Sequence, residues 1–378
     1  MLKIIADNKI PFLEGVLEPY AHISYLPGAK TDASVIKGAD ALITRTRTKC
    51  DEKALSDSGV KMIATATIGF DHIDTAYCDK NNIKWVNAPG CNSGSVLQYI
   101  AATIATLTSK LCIDATQQTI GIIGVGNVGS KVAGFANSIG MKVLQYDPPR
   151  AEKEGREQFV DLPELLAQAD LITFHVPLQR TGIYKTHHLG DAAFFEQCKK
   201  NAIIINSSRG EVINNDDLLA ALNKQTIGHA VLDVWENEPD INRGLLDKTM
   251  IATPHIAGYS ADGKANGTSM SVQAISRRFG LPLEDWYPSN IPAPAHPTLQ
   301  IDAQGMTDQQ VWSKAILHTY EILEDDQRFR REPATFEYLR GSYPIRREFR
   351  AYCIQLKNGS ERLVEMLNKI GFGHVELI

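Results

Sequence analysis

The chain of 378 residues is short of several things, and each shortage removes a class of explanation. Its six cysteines, Cys50, Cys78, Cys91, Cys112, Cys198 and Cys353, are scattered without CxxC spacing. That argues against a zinc site and a disulfide framework, and makes a reducing cytoplasm the expected compartment. There is no excess of positive charge: 39 Lys and Arg against 44 Asp and Glu give a net charge of −5. Nothing global therefore attracts nucleic acid or an anionic membrane, and an anionic ligand must be held by local charge. No apolar run approaches the ~20 residues that span a bilayer, and residues 1–7 read as a short strand rather than a secretory leader. Internal repeats and low-complexity tracts are lacking as well. What remains, 43% hydrophobic and 22% charged, is a soluble globular composition in a chain long enough for two or three domains.

Short runs of Ile, Val and Ala alternate with helix-length segments over most of the first 280 residues, the pattern of βαβ units and parallel sheets. Strands are predicted at 2–6, 41–44, 61–64 and 84–86 in a first unit. Val96, Ile100, Ile104 and Leu107 then mark a long helix over 93–111, leading into six strands at 119–123, 142–146, 171–175, 202–206, 229–233 and 250–253. After Gly280 five prolines crowd between 282 and 297, where neither a regular helix nor a central strand persists. Beyond them lie a helical segment at 307–323, an Arg-rich stretch at 328–350 and a strand–helix–strand tail (352–356, 361–370, 374–377).

The expected architecture is α/β, with two doubly wound parallel-sheet, Rossmann-like domains and a small C-terminal α+β domain. The boundaries expected are 1–92 with 258–284 for a flavodoxin-like substrate domain, 93–257 for a dinucleotide domain and 285–378 for the C-terminal part. Tyr, Trp and Arg in that last part suit subunit contact, and a small packing appendage explains them equally well.

Gly124, Gly126, Asn127, Val128 and Gly129 form a GxGxxG loop that follows a predicted strand and opens a helix. The first Gly makes the turn, the second admits a diphosphate to the backbone, and the third lets helix and strand pack closely, with the helix amides facing the phosphates. Asp147 ends the next strand roughly twenty residues on, where a carboxylate accepts bonds from a ribose and repels a 2′-phosphate. NAD is thus expected over NADP. Arg150 is expected on the surface, because Pro148 and Pro149 turn the chain before it.

Three further motifs carry chemistry: Arg209 in Asn206-Ser-Ser-Arg-Gly210, an acid in Asp233-Val-Trp-Glu-Asn-Glu-Pro239, and His255 in Thr253-Pro-His-Ile-Ala-Gly258. They supply a guanidinium that can clamp a carboxylate, an acid and a proton shuttle, the set that interconverts a 2-hydroxy acid and a 2-oxo acid. Taken alone, Arg209 reads equally as a surface residue at a strand end and His255 as a satisfied core histidine. Their combination carries the reading. Periodicity does not choose between Glu236 and Glu238 as the partner of the imidazole.

The glycine loop, these three motifs and Asn87-Ala-Pro-Gly90 resemble the D-isomer-specific 2-hydroxyacid dehydrogenases over roughly residues 1–280. Segments 44–49, 64–74, 88–92, 255–264 and 343–349 are similar to a branch of that family that acts on a phosphorylated hydroxy acid and carries a C-terminal dimerisation domain. The resemblance implies catalytic roles for Arg209, Glu238 and His255, with the proline after Glu238 choosing it over Glu236. It also implies NAD contacts at Asp147, Asp233 and Gly258, to which His175 at a neighbouring strand end is added, and substrate contacts at Thr46, Thr67 and Tyr259. A homodimer and no metal are expected. Two positions depart from the family pattern: Thr46 replaces a smaller Ser, and Gln98 stands where an acid is usual.

For a phosphate, Arg45 beside Thr46 is the expected ligand, joined by Arg346 or Arg347 from a second copy's tail; a solvated basic face is the alternative. The competing functions are another 2-hydroxyacid dehydrogenase and an NAD-sensing regulator of the corepressor type on the same fold.

Overall fold

The Ile-, Val- and Ala-rich runs form strands whose pairings are all parallel, in a computed structural model that describes residues 1–378. One unit comprises Met1–Asn92 and Ser260–Pro292, the other Ser93–Tyr259 and Ala293–Ile378. All six cysteines are free, and no helix is long and apolar enough to cross a membrane.

In the first unit β1 (Leu2–Asp7), β2 (Ala21–Leu26), β3 (Ala41–Thr44), β4 (Met62–Thr65) and β5 (Lys84–Val86) lie in the order β2-β1-β3-β4-β5. β3 and β4 are buried along their whole length, as strands covered on both faces must be. β2 escapes the sequence reading because it is an edge strand with only Ala21 buried, so it has no continuous apolar run. The helix Ala261–Phe279 starts where Ser260 accepts the Gly263 amide and stops at left-handed Gly280; Val272 and Ile275 pack with Ile4, Ile43 and Met62.

In the second unit β6 (Thr119–Ile123), β7 (Lys142–Tyr146), β8 (Leu171–Phe174), β9 (Ile203–Asn206), β10 (His229–Leu232) and β11 (Ile251–Ala252) run in the order β11-β10-β9-β8-β6-β7. β6, β8 and β9 are buried at every residue, each Ile contributing roughly 2 kcal/mol by removal from water. Strand order reverses between β6 and β8, so a crevice for ligands opens past their carboxyl ends.

The C-terminal segment joins this same unit. Its strands β12 (Thr298–Asp302), β13 (Cys353–Lys357) and β14 (His374–Leu377) make a small parallel sheet in sequence order. The helix Asp308–Thr319 lays Val311, Trp312 and Ile316 into one cluster with Ile100 and Ile104 of the helix Ser93–Lys110 and with Ile120 and Ile122 of β6. That helix, covered on both sides, is buried from Gln98 to Thr108. The single helix expected over 307–323 breaks instead at Tyr320, whose extended backbone (φ −158°, ψ 104°) separates Asp308–Thr319 from Ile322–Arg331.

Gln98 occupies a position that an amide suits and an acid does not. Its Nε2 donates to Thr319 Oγ1 (3.0 Å) and to the carbonyl of Arg347 (2.8 Å), tying the long helix to the C-terminal segment. A carboxylate there would set a buried charge against a carbonyl oxygen. Gln98→Glu is therefore expected to cost about 2–3 kcal/mol in urea unfolding at neutral pH, and less in mild acid where the carboxyl can donate. An equal loss at both pH values would assign the effect to packing instead.

Candidate active site

β6 delivers the chain into Gly124 (φ +86°), where a Cβ would lie 2.7 Å from the His175 carbonyl oxygen. A Cβ on Gly126, by contrast, would point into open space with no atom within 4 Å. That open cradle, bordered by exposed Asn127 and half-buried Val128 and facing the first turn of the helix Gly129–Ser138, is what a diphosphate requires. Asp147, just past β7, accepts the amides of Val125 (2.8 Å, Oδ2) and Arg150 (3.1 Å, Oδ1), so it fixes the glycine loop and caps the helix Pro148–Glu154 together. Beside it Tyr146, Asp147, Pro148, Phe159 and Val160 line a shallow cavity of about 70 Å³. These residues fit NAD.

Arg150 is partly exposed at the surface, but not for the reason expected. The two prolines start a helix rather than turn the chain away, and the guanidinium folds back onto the Val125 carbonyl, lies 5.5 Å from the centre of the Phe159 ring and pairs with Glu154 (2.6 Å).

His175, one residue past β8, is partly exposed, and its Nε2 is 3.0 Å from Thr173 Oγ1. Desolvation pushes the imidazole pKa from 6.5 down to about 3, so the ring is neutral at pH 7. Asp233, expected at the nicotinamide, is 1% exposed. Its Oδ1 accepts Thr253 Oγ1 (2.7 Å) and the Ile256 amide (2.7 Å), and its Oδ2 the Ala257 amide (2.9 Å). The contacts it makes within the chain thus shape the loop that carries His255.

At the end of β9 the Asn206 carboxamide closes a turn, accepting the amide and hydroxyl of Ser208 and donating to the Arg209 carbonyl. Arg209, Nη1 bound to the Ser208 carbonyl (2.8 Å), is thereby directed out of the sheet end. Gly210 is required next, since its Cβ would lie 1.9 Å from the Trp235 carbonyl oxygen. Buried Trp235 donates its indole N–H to the Thr253 carbonyl (3.0 Å), joining the second motif to the third.

Glu238 Oε1 accepts the Trp235 amide (2.9 Å) and Oε2 lies 2.7 Å from His255 Nδ1. Glu236 belongs to a different pair, 2.7 Å from His188 Nε2 and accepting the Asn215 amide. His255 sits at φ +56°, its amide donating to the Asp233 carbonyl (2.6 Å). Arg209, Glu238 and His255 line one pocket of about 440 Å³ together with Arg180, His187 and His188, three residues that the sequence reading did not single out.

The other expected substrate residues are divided between the two units. In the first unit Arg45 and exposed Thr46 follow β3, with Arg45 Nη1 on the Lys9 carbonyl (3.3 Å), while half-buried Thr67 follows β4 and bonds the Gly69 carbonyl (2.9 Å). In the second unit Gly258 and Tyr259 continue the His255 loop, and the Tyr259 ring meets Tyr343 edge-on at 5.9 Å.

Arg346 requires a correction. It is 5% exposed, stacks 4.3 Å from the centre of the Tyr320 ring and donates to the carbonyls of Ile256 (3.3 Å) and Ala257 (2.6 Å), so it props up its own chain's His255 loop and cannot reach into another copy. Arg347 is half-buried, its carbonyl taken by Gln98. The residue of the Arg-rich stretch that does lie beside Tyr259 is Arg340, 5.8 Å from the ring centre. Nothing in the sequence distinguished it from its neighbours.

Residues 101–257 match the model of the D-isomer specific 2-hydroxyacid dehydrogenase, NAD binding domain, and residues 292–371 match a domain of unknown function. The erythronate-4-phosphate dehydrogenase of Bacteroides thetaiotaomicron is 50% identical over 354 residues, covering 93% of this chain and 99% of the relative. The chain belongs to the erythronate-4-phosphate dehydrogenases, within the D-isomer specific 2-hydroxyacid dehydrogenase family. The Proteus mirabilis member is 37% identical, covering 98% of this chain and 99% of its own. Among solved structures, the D-lactate dehydrogenase of Aquifex aeolicus complexed with NAD and lactic acid superposes with a TM-score of 0.60 at 27% identity, covering 74% of this chain and 96% of that one.

The depressed pKa of the His175 imidazole generates a pH test. Between pH 6.5 and about 3 the unfolded chain takes up a proton that the folded chain refuses, so this contribution to stability is complete above 6.5 and is lost as pH falls toward 3. His175→Gln should flatten the acid limb of stability against pH by up to about 1.4 kcal/mol per pH unit. Parallel curves for the two proteins would show that the ring is protonated when folded.

Proposed function

We propose that this chain oxidises 4-phospho-D-erythronate at C2 to 2-oxo-3-hydroxy-4-phosphobutanoate with NAD, in the synthesis of pyridoxal 5′-phosphate. The observation that carries the mechanism is the carboxylate–imidazole pair, Glu238 Oε2 to His255 Nδ1 at 2.7 Å, in one pocket with Arg209. The relatives' names carry the choice of acid.

Held by Glu238, Nδ1 keeps its proton toward the carboxylate and Nε2 is left as the basic nitrogen facing the reaction. His255 Nε2 takes the C2 hydroxyl proton, and Glu238 stabilises the imidazolium that forms. Arg209 holds the substrate carboxylate through parallel hydrogen bonds and stabilises charge on the C2 oxygen. When bound, NAD supplies the acceptor for the C2 hydride. The glycine loop, Asp147 and Gly258 hold that cofactor; Arg45, Thr46, Thr67 and Tyr259 hold the substrate. A cytoplasmic homodimer completes the reading, with the C-terminal segment as the contact; Tyr338 and Ile345, 71% and 64% exposed there, supply apolar surface for it.

NADH formation is expected to be far faster with 4-phosphoerythronate than with erythronate. A preference for lactate, glycerate or 3-phosphoglycerate would reassign the chain to another activity of the family, and no turnover with any 2-hydroxy acid would favour a sensor. His255→Asn should lower kcat by roughly 10²- to 10⁴-fold with NAD affinity retained. Glu238→Gln should lower kcat by leaving the His255 imidazole without the carboxylate that orients it, and a variant with wild-type kcat would remove the pair from the mechanism.

A further inference from the structure

Arg340 stands on the short helix Phe336–Gly341, inside the segment that matches a domain of unknown function. Its guanidinium carbon lies 5.8 Å from the centres of both the Tyr259 and Phe336 rings, and its side chain is 23% exposed. Burial opposes its charge, while the Tyr259 hydroxyl, Glu238 and Glu337 favour it, and the guanidinium pKa is raised. The cation therefore feels the same carboxylate that holds His255.

Its hydrogen bonding differs from that of Arg330, and its exposure from that of Arg346, whose Nε is likewise without a partner but which is only 5% exposed. Arg330 has Asp326, the Leu246 carbonyl and the Thr249 carbonyl on Nε, Nη1 and Nη2, and Arg346 has the carbonyls of Ile256 and Ala257 beneath its stack on Tyr320. Those two are structural. Arg340 offers five N–H bonds, yet its Nε has no partner and its carboxylate contact is Glu337 at 3.1 Å, a residue whose own side chain is 46% exposed. A guanidinium set between two aromatic rings, one of them Tyr259 four residues past His255, with its Nε still to be satisfied, is arranged for an anion.

We propose that Arg340 is a ligand for the phosphate of the substrate, so that the C-terminal segment supplies part of the active site's specificity. This rests on the reading of the substrate as a phosphomonoester. The dianion would neutralise the guanidinium that Tyr259 flanks, and Arg340 would in turn separate phosphate charge from Glu238, leaving that carboxylate free to favour the imidazolium. The contact replaces the expectation that Arg346 of a second copy serves this purpose.

The test is the specificity ratio, kcat/KM for 4-phosphoerythronate divided by kcat/KM for erythronate. In Arg340→Gln the ratio should fall roughly 10- to 100-fold, mainly through KM of the phosphorylated acid, and inorganic phosphate should weaken as a competitive inhibitor by a similar factor. Arg340→Lys should recover part of both, as a point charge without the fork. NAD binding, followed by protein fluorescence, reports that each variant is folded. A ratio equal to wild type, or equal losses on both substrates, overturns the proposal; the second result would make Arg340 a positioning residue for Tyr259. Should the wild-type chain not oxidise 4-phosphoerythronate at all, the functional reading fails by itself. Arg340 is then judged by calorimetric titration with inorganic phosphate: binding lost in Arg340→Gln sustains the subsite, and equal binding removes it.

Discussion

The buried carboxylate of Asp233 is the constraint on which the rest of the site depends. Burial pushes its pKa up, against the opposing pull of His255, the Thr253 hydroxyl and the amides of Ile256 and Ala257. A carboxylate this deeply enclosed persists only if its lone pairs are satisfied, and here three donors within five residues do so. The loop from Thr253 to Ala257 must wrap around the end of β10 to deliver them. In doing so it forces His255 into the left-handed region, a conformation that a non-glycine residue keeps only where its surroundings determine it.

From that wrap the remaining geometry follows by short connections. Trp235, two residues after Asp233, donates to Thr253 and offers its own amide to Glu238, so one residue holds both ends of the His255–Glu238 pair. Gly210 lets the Arg209 turn lie directly on the Trp235 backbone. Arg346, from the far end of the chain, takes the carbonyls of Ile256 and Ala257, the same two residues whose amides Asp233 accepts. The C-terminal segment is thus part of the catalytic unit's architecture, which explains why it shares a core with the helix Ser93–Lys110 rather than standing apart.

Much of this was legible in the residues because it is local. A strand buried on both faces must be an unbroken apolar run, which is how β3, β6, β8 and β9 announced themselves, whereas edge strand β2, paired along one side, carries no such mark. The glycine loop was readable because its positions have steric reasons within a few residues. Tyr320 was not: its role as a helix break and a platform for Arg346 depends on a ring contact with a residue 26 positions later. Arg346 was misjudged for the same reason, because a long cationic side chain takes its meaning from whichever carbonyls and rings the fold brings to it.

By itself, then, the order of residues determined the parallel α/β plan, the dinucleotide loop and the three motifs bearing Arg209, Glu238 and His255, since each is encoded by spacing within one turn or strand. Only the tertiary structure decided how the second acid, Glu236, is used, which arginine props a loop and which is left with donors to offer. Those outcomes depend on distances between segments 17 to 90 residues apart, and charge and hydrogen-bonding capacity alone leave them open.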